Sequence, residues 1–169
     1  MAELVQWTKA LKRDLVEVCN HVDRTFLSER MPDPYTEKDA DWWLEMVDEH
    51  EGRDGIFRAI LAEGKVIGNI SIEQKADVYR KDAEIGYMLL SDFAAKGIMT
   101  EAVSKICKIA FSELDIIRIT GLVYEPNAAS RRVLEKNQFA LEGMMKNAVY
   151  KNRKTYNLCV YGKMKFEEE

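Results

Sequence analysis

Asn127 and Ser130 stand one helical turn apart, directly after a strand-like run. The segment that carries them reads "YEPNAASRRVLEKNQF", and the run before it, "IIRITGLVY", alternates apolar and more polar residues. Pro126 breaks the strand and pushes Glu125 toward an extended backbone. A helix then opens at Asn127. Two kinds of chemistry fit. The first is local: Asn caps helices, its side-chain oxygen accepting a free backbone N–H for about 1 kcal/mol. The second is recognition: a helix start after a strand presents unpaired N–H groups and short polar side chains to a ligand. The Ser130 hydroxyl could deliver a proton there, or satisfy a backbone group of its own first turn.

A second stretch, "EIGYMLLSDFAAKGIMTEAV", has the same plan. A strand ends near Leu90, and Lys96-Gly97 leads into a long helix. Successive loop N–H groups at a helix start make an anion nest, and the helix dipole adds to it. Gly97 lets a phosphate approach the backbone closely, and Lys96 could add a charge. Neither a G-x-x-x-x-G-K-[ST] loop nor a G-x-G-x-x-G fingerprint occurs. Two such strand ends side by side would form a crevice. Glu84 starts the first of these strands. Facing the crevice it could take a proton through water; otherwise it is a solvated charge.

The elements that must position these groups follow from periodicity. "ELVQW" reads as a short strand, and Leu11, Leu15, Val18 and Val22 repeat at helical spacing. A loop or short helix follows, ending at Pro32 and Pro34. Thr36 can cap the helix "EKDADWWLEMVDEH", with Trp43, Met46 and Val47 on one side. Of the adjacent Trp42 and Trp43, one is expected in the core and the other is open to contact with a substrate. "GIFRAILA" and "KVIGNISIEQK" form a hairpin around "EGK", and "AEIGYMLL" is the next strand. Met99, Ala102, Val103, Ile106, Ile109 and Ala110 line the long helix. After the opening strand and helix, "FALEGMMKNAV" and "KTYNLCVYGKMK" pair around "YKNR". The order implies one parallel crossover, with hairpins elsewhere. The expected fold is α/β (α+β): a mixed, mostly antiparallel, twisted sheet of six to seven strands, helices on both faces, in a single domain over residues 1–169.

Composition removes several classes. The 169 residues are 47% hydrophobic and 32% charged, which supports one domain with a sizeable core. Net charge of −4 argues against a nucleic-acid partner held by a basic surface. The three cysteines lie in apolar segments with no Cys-x-x-Cys pair, as buried thiols of a reduced compartment would. Two distant histidines, His21 and His50, give no metal-ligand spacing, so no metal is expected. There is no apolar leader and no 18-residue apolar run, so the expectation is a cytoplasmic protein with no membrane partner. The acids Asp33, Glu37, Asp39, Asp41 and Glu45 form a solvated face or attract a cation.

With those motifs quoted, the chain resembles the GCN5-related N-acetyltransferases (GNAT), specifically the ribosomal-protein N-terminal acetyltransferase branch. "AEIGYMLLSDFAAKGIMTEAV" is similar to the family's acetyl-coenzyme A motif. "NAASRRVLEKNQFALEG" is similar to its second motif, Asn-x-x-Ser-x-x-x-Leu-Glu-Lys-x-Gly-Phe-x-x-Glu-Gly. The resemblance spans nearly the whole chain. It implies acetyl-coenzyme A as co-substrate and an amine acceptor, with the backbone of Met88, Leu89 and Leu90 pairing with the pantetheine arm. It implies a pyrophosphate loop over Ala95, Lys96, Gly97, Ile98, Met99 and Thr100. Asn127 would lie beside the pantetheine or acetyl group, and Ser130 near the sulfur, able to protonate the departing thiolate.

Departures from the family pattern qualify the chemistry. Ala94 replaces a polar residue that opens the loop, and Met99 stands where a small side chain is usual, so it is expected to crowd the loop. Gln138 replaces Gly before Phe139. The position of a general-acid Tyr is Leu134, and that of a general-base Glu is Val149. Transfer to a protein or peptide N-terminal α-amine remains the leading expectation. The alternatives are a polyamine or aminoglycoside acceptor, a coenzyme A-binding module with little catalysis, and an interaction domain that binds no cofactor. The final hairpin could also pair with a second copy of the chain.

Overall fold

The computed structural model describes residues 2–166. Seven strands form one sheet: β1 (Glu3–Gln6), β2 (Gly55–Ala62), β3 (Lys65–Gln74), β4 (Asp82–Leu89), β5 (Arg118–Tyr124), β6 (Ala140–Lys151) and β7 (Lys154–Met164). Their spatial order is β1-β2-β3-β4-β5-β7-β6, and every pairing is antiparallel except β4 with β5. Four α-helices flank it: α1 (Lys12–His21), α2 (Glu37–His50), α3 (Ile98–Glu113) and α4 (Ala128–Lys136). The connection from β4 through α3 to β5 is the parallel crossover that the element order predicts. "DRTFLSERMPDPY" holds no helix and runs as turns. β6 runs on to Lys151, so the last hairpin turns at Asn152 and Arg153, both at positive φ.

Period-two alternation divides the sheet between two cores. On one face Ile56, Ile70, Ile72, Ala83, Ile85, Ile119 and Tyr161 meet Met99, Ala102, Val103 and Ile106 of α3 and Leu134 of α4. On the other face Phe57, Ala59 and Val66 meet Leu15 and Val18 of α1 and Leu44 and Val47 of α2. Thr36 caps α2 with a full capping box, Thr36 accepting from the Asp39 N–H and Asp39 accepting from the Thr36 N–H. Trp43 is the core member of its pair, edge-on to Trp7 at 5.6 Å and to Phe57 at 6.1 Å. Trp42 is 69% exposed.

Two local features carry a stability test. Gln138 adopts φ 66°, and the Phe139 N–H bonds back to the Leu134 carbonyl at 3.1 Å, so α4 ends in a Schellman turn with Gln at its left-handed position. A side chain there costs about 1–2 kcal/mol, and a Gly returns about 0.4–1 kcal/mol through the unfolded chain. Gln138→Gly is therefore expected to raise the melting temperature by about 2 °C, read by calorimetry. At the end of α2, the Glu51 carboxylate pairs with the guanidinium of buried Arg58 and accepts from the Phe57 N–H at 3.3 Å. Glu51→Gln keeps an acceptor but not the charge, so a loss of about 1–2 kcal/mol is expected in denaturant titration.

Candidate active site

β4 and β5 pair for only four residues, from Asp82 with Arg118 to Ile85 with Gly121. Beyond that point each keeps its outer neighbour but not the other. β4 stays on β3 as far as Leu89, and β5 stays on β7 as far as Tyr124. The sheet is therefore open between them at its carboxyl end. The closed end is pinned by polar contacts. Asp82 accepts from the Thr120 hydroxyl at 2.8 Å and meets Arg118 at 3.3 Å, while Arg118 also reaches Glu142 at 2.7 Å. At the vertex, Gly121 allows α4 to sit close: a Cβ there would lie 2.7 Å from Leu134 Cδ1.

The free edge of β4 can be assigned residue by residue. Leu90 gives its N–H to the Ile67 carbonyl at 2.8 Å, and the Met88 carbonyl points at β3, where it would lie 2.4 Å from a Cβ on Gly68. Strand alternation then turns the backbone groups of Tyr87 and Leu89 to the open side. Of Met88, Leu89 and Leu90, which the resemblance pairs with the pantetheine arm, Leu89 turns its backbone groups to the opening, whereas the Leu90 N–H goes to Ile67 of β3 and its carbonyl accepts from the Phe93 N–H at 3.0 Å.

α3 begins on the same side. Its N-cap is Gly97 at φ 77°, with no side chain capping it, and Ala95 lies at φ 59°. Left-handed residues flanking Lys96 make successive N–H groups converge. The first intrahelical bond goes from the Glu101 N–H to the Gly97 carbonyl, so the N–H groups of Ile98, Met99 and Thr100 have no partner in the helix. Nothing lies within 4 Å of a Cβ placed on Gly97. The Lys96 ammonium rests 5.5 Å from the Phe93 ring centre, beside the loop. Met99 does not crowd this mouth. It is 8% exposed with its side chain in the core, because it belongs to the inward stripe with Ala102, Val103 and Ile106. The Thr100 carbonyl accepts from Asn137 Nδ2 at 3.1 Å, which ties the start of α3 to the end of α4.

Across the opening stands the start of α4. Asn127 is its N-cap, Oδ1 accepting from the Ser130 N–H at 3.3 Å. Its Nδ2 makes no hydrogen bond to another described residue, so one group serves both readings of Asn127. The Ser130 hydroxyl lies 2.7 Å from the Tyr87 hydroxyl of β4. Sequence reasoning missed Tyr87. Its signal was the alternation itself: buried Ala83 and Ile85 place Tyr87 on the face of α3 and α4. Desolvation raises its phenol pKa to about 12, against the opposing effect of the bond to Ser130.

Glu84 is not brought to Ser130. It is exposed, on the opposite face, one pair before the strands part, and opposite Thr120. Its partner across the β3–β4 ladder is Glu73, whose pKa is raised by desolvation first and by the Glu84 charge second. On this face the wall is made by the segment between α1 and α2 and by the last hairpin. Phe26 packs edge-on to Tyr124 at 5.7 Å, and Tyr124 meets Tyr156 at 5.6 Å. The Lys151 ammonium is directed into the carbonyls of Arg24, Thr25 and Leu27. Leu134 is buried under β5, and Val149 lies opposite Tyr156, so neither position offers a titratable group.

Other features fall away from the opening. A depression lined by Ala2, Leu4, Lys105 and Ile109 lies between β1 and α3. The cysteines are buried and unpaired, and burial raises the thiol pKa of Cys19 to about 12 and of Cys107 to about 11. Among the described residues no three His, Cys, Asp or Glu side chains group as a metal site, and no helix is long and apolar enough to cross a membrane.

Residues 3–140 match the family model described as an acetyltransferase (GNAT) domain. A putative ribosomal N-acetyltransferase of Bacillus subtilis strain 168, YdaF, is 36% identical over 116 residues, spanning 69% of this chain and 63% of the relative. The chain thus spans a little under two thirds of the length of that curated relative. The solved structure of RimL, described as a ribosomal L7/L12 α-N-protein acetyltransferase in complex with coenzyme A, is similar with a TM-score of 0.84 at 21% identity, covering 96% of this chain and 93% of its own. A ribosomal-protein-S5-alanine acetyltransferase from Vibrio fischeri gives 0.79 at 23% identity, covering 96% and 91%. At these identities the likeness to the solved structures is one of fold.

Proposed function

The chain belongs to the acetyltransferase (GNAT) family, and on that premise we propose that it moves acetyl from acetyl-coenzyme A to the α-amine of a protein or peptide N-terminus. One observation carries this reading: the opening between β4 and β5 beyond Ile85 and Gly121, with the uncapped start of α3 on one side and Ser130 on the other. When bound, acetyl-coenzyme A supplies a thioester carbonyl ready for attack. The N–H groups of Ile98, Met99 and Thr100 would hold its pyrophosphate, with Ala95, Lys96 and Gly97 shaping the loop. Tyr87 and Leu89 would pair their free backbone with the pantetheine arm, and Asn127 Nδ2 would donate to it.

The amine attacks directly in a ternary complex, where holding the two reactants together supplies much of the acceleration. Ser130 Oγ–H donates its proton to the departing thiolate. On the open face, Glu84 takes the ammonium proton through water. The adjoining Glu73, opposite Glu84 on β3, adds negative charge that attracts the ammonium. An α-amine asks least of such a site. With a pKa near 8, roughly a tenth of it is neutral at pH 7, against roughly 0.04% of a lysine amine. The names of YdaF, RimL and the S5-alanine acetyltransferase support a ribosomal-protein N-terminus as the first substrate class.

The test is thiol release from acetyl-coenzyme A with peptides bearing a free N-terminus, with N-blocked lysine peptides, and with a polyamine and an aminoglycoside. At pH 7 the free N-terminus is expected to turn over about 250-fold faster than the blocked lysine peptide, following the neutral fractions. Equal rates would end the α-amine assignment. The untitratable Leu134 and Val149 favour a second reading, a coenzyme A-binding module. Binding without release of thiol to any amine would establish it.

A further inference from the structure

The Tyr87–Ser130 contact is not explained by packing. Tyr87 comes from the stretch of β4 beyond its last pair with β5 and Ser130 from the first turn of α4, so their hydroxyls meet across the place where the sheet opens, 2.7 Å apart. The Tyr87 hydroxyl lies 3.4 Å from the Ser130 carbonyl, too long for a rival bond of comparable strength. A serine hydroxyl in a first helical turn is free to rotate, and it can point its proton at a neighbouring acceptor as readily as into a cleft. Which way it points depends on what occupies its lone pairs. A phenol is the stronger hydroxyl acid of the two and the natural donor in the pair.

We propose that Tyr87 is a positioning residue: it donates its hydroxyl proton to Ser130 Oγ, which turns the Ser130 proton outward into the opening, toward the leaving sulfur. This rests on the acetyltransferase reading above and deepens it. Tyr87 itself gives up no proton in the reaction. Ser130 passes its proton to the thiolate as the carbon–sulfur bond breaks, and recovers one from solvent after the thiol leaves. The desolvation that keeps the phenol protonated to about pH 12 fits the role, because a phenolate would accept from Ser130 and draw its proton the wrong way.

The test is a double-substitution cycle in the full chain, with acetyl-coenzyme A and the best peptide acceptor. Tyr87→Phe is expected to lower kcat about 10-fold with KM for acetyl-coenzyme A within twofold, and Tyr87→Phe with Ser130→Ala is expected to be no slower than Ser130→Ala alone. Independent, multiplying losses would overturn the role, and so would an unchanged kcat in Tyr87→Phe. A second variant keeps the ring: 2,3-difluorotyrosine at position 87, whose phenol ionises at lower pH. Its kcat is expected to fall on the alkaline side at a lower pH than in the natural enzyme. A pH profile that superposes on the natural one would refute the role, since a purely structural tyrosine leaves it unmoved. A natural protein that binds acetyl-coenzyme A and acetylates no amine overturns the function itself, and with it this role. An active enzyme whose Ser130→Ala variant is as fast as the original overturns only the route through Ser130.

Discussion

Gly97→Glu is expected to remove the thermal stabilisation that acetyl-coenzyme A gives the natural protein. At 100 times its dissociation constant a ligand adds about 2.7 kcal/mol of stability, which for a chain of this size is a rise of about 5–10 °C. Two effects act against it in the variant. Gly97 sits at φ 77°, where any other side chain costs about 1–2 kcal/mol or forces the loop to relax. The new carboxylate also stands beside the N–H groups of Ile98, Met99 and Thr100 and competes for the positive end of α3. The space around Gly97 is open, so steric damage to the fold is small. Gly97→Ala carries the backbone cost without the charge and should keep part of the shift. A Glu variant that shifts as far as the natural protein would remove the start of α3 from the cofactor site.

The second large effect is expected at Ser130. Ser130→Ala should lower kcat about 100-fold, the lower end of what a positioned proton donor contributes. Binding of acetyl-coenzyme A should be unchanged, and stability should fall only by the lost bond to Tyr87, about 1 kcal/mol. The cap of α4 uses the Ser130 backbone N–H and the Asn127 oxygen, so the Ser130 hydroxyl can be deleted without touching it. Asn127→Ala is the contrasting variant: it loses the cap and about 1 kcal/mol. Single-turnover kinetics separate these outcomes from product release. A Ser130→Ala variant with normal single-turnover rates would leave the thiolate to depart unprotonated or to take its proton from water.

Much of this arrangement is written in local pattern. Alternation in "AEIGYMLL" and "IIRITGLVY" and the three-and-four spacing of α3 are enough for a mixed sheet with one parallel crossover, and the family's two motifs point to Gly97 and Ser130. Met99 shows how a local reading can fail. Compared with a loop pattern it looks like an obstruction, whereas its helical spacing with Ala102, Val103 and Ile106 already places it inward. The parting of β4 from β5 leaves no trace in either strand, because both continue to alternate beyond Ile85 and Gly121. What separates them lies in the chains that each keeps on its outer side. The Tyr87–Ser130 contact joins residues 43 positions apart and appears only once α4 is seated over Gly121. Glu84 lies on the same strand as Tyr87 but at odd spacing from it, and a period of two suffices to separate their faces.

The buried ammonium of Lys151 has a consequence for how such a scaffold could be rebuilt. By donating to the carbonyls of Arg24, Thr25 and Leu27, it makes the hairpin tip and the segment after α1 a single mechanical part, although more than 120 positions separate them in the chain. A graft that brings residues 22–36 from a relative, to change what the open face accepts, has to place carbonyls where those of Arg24, Thr25 and Leu27 stand, or the buried Lys151 ammonium is left without partners. Otherwise residues 149–156 would have to travel with it. Swaps of acceptor preference in this architecture are thus inherited as a matched pair of distant segments, and chimeras that cut between them should be the ones that misfold.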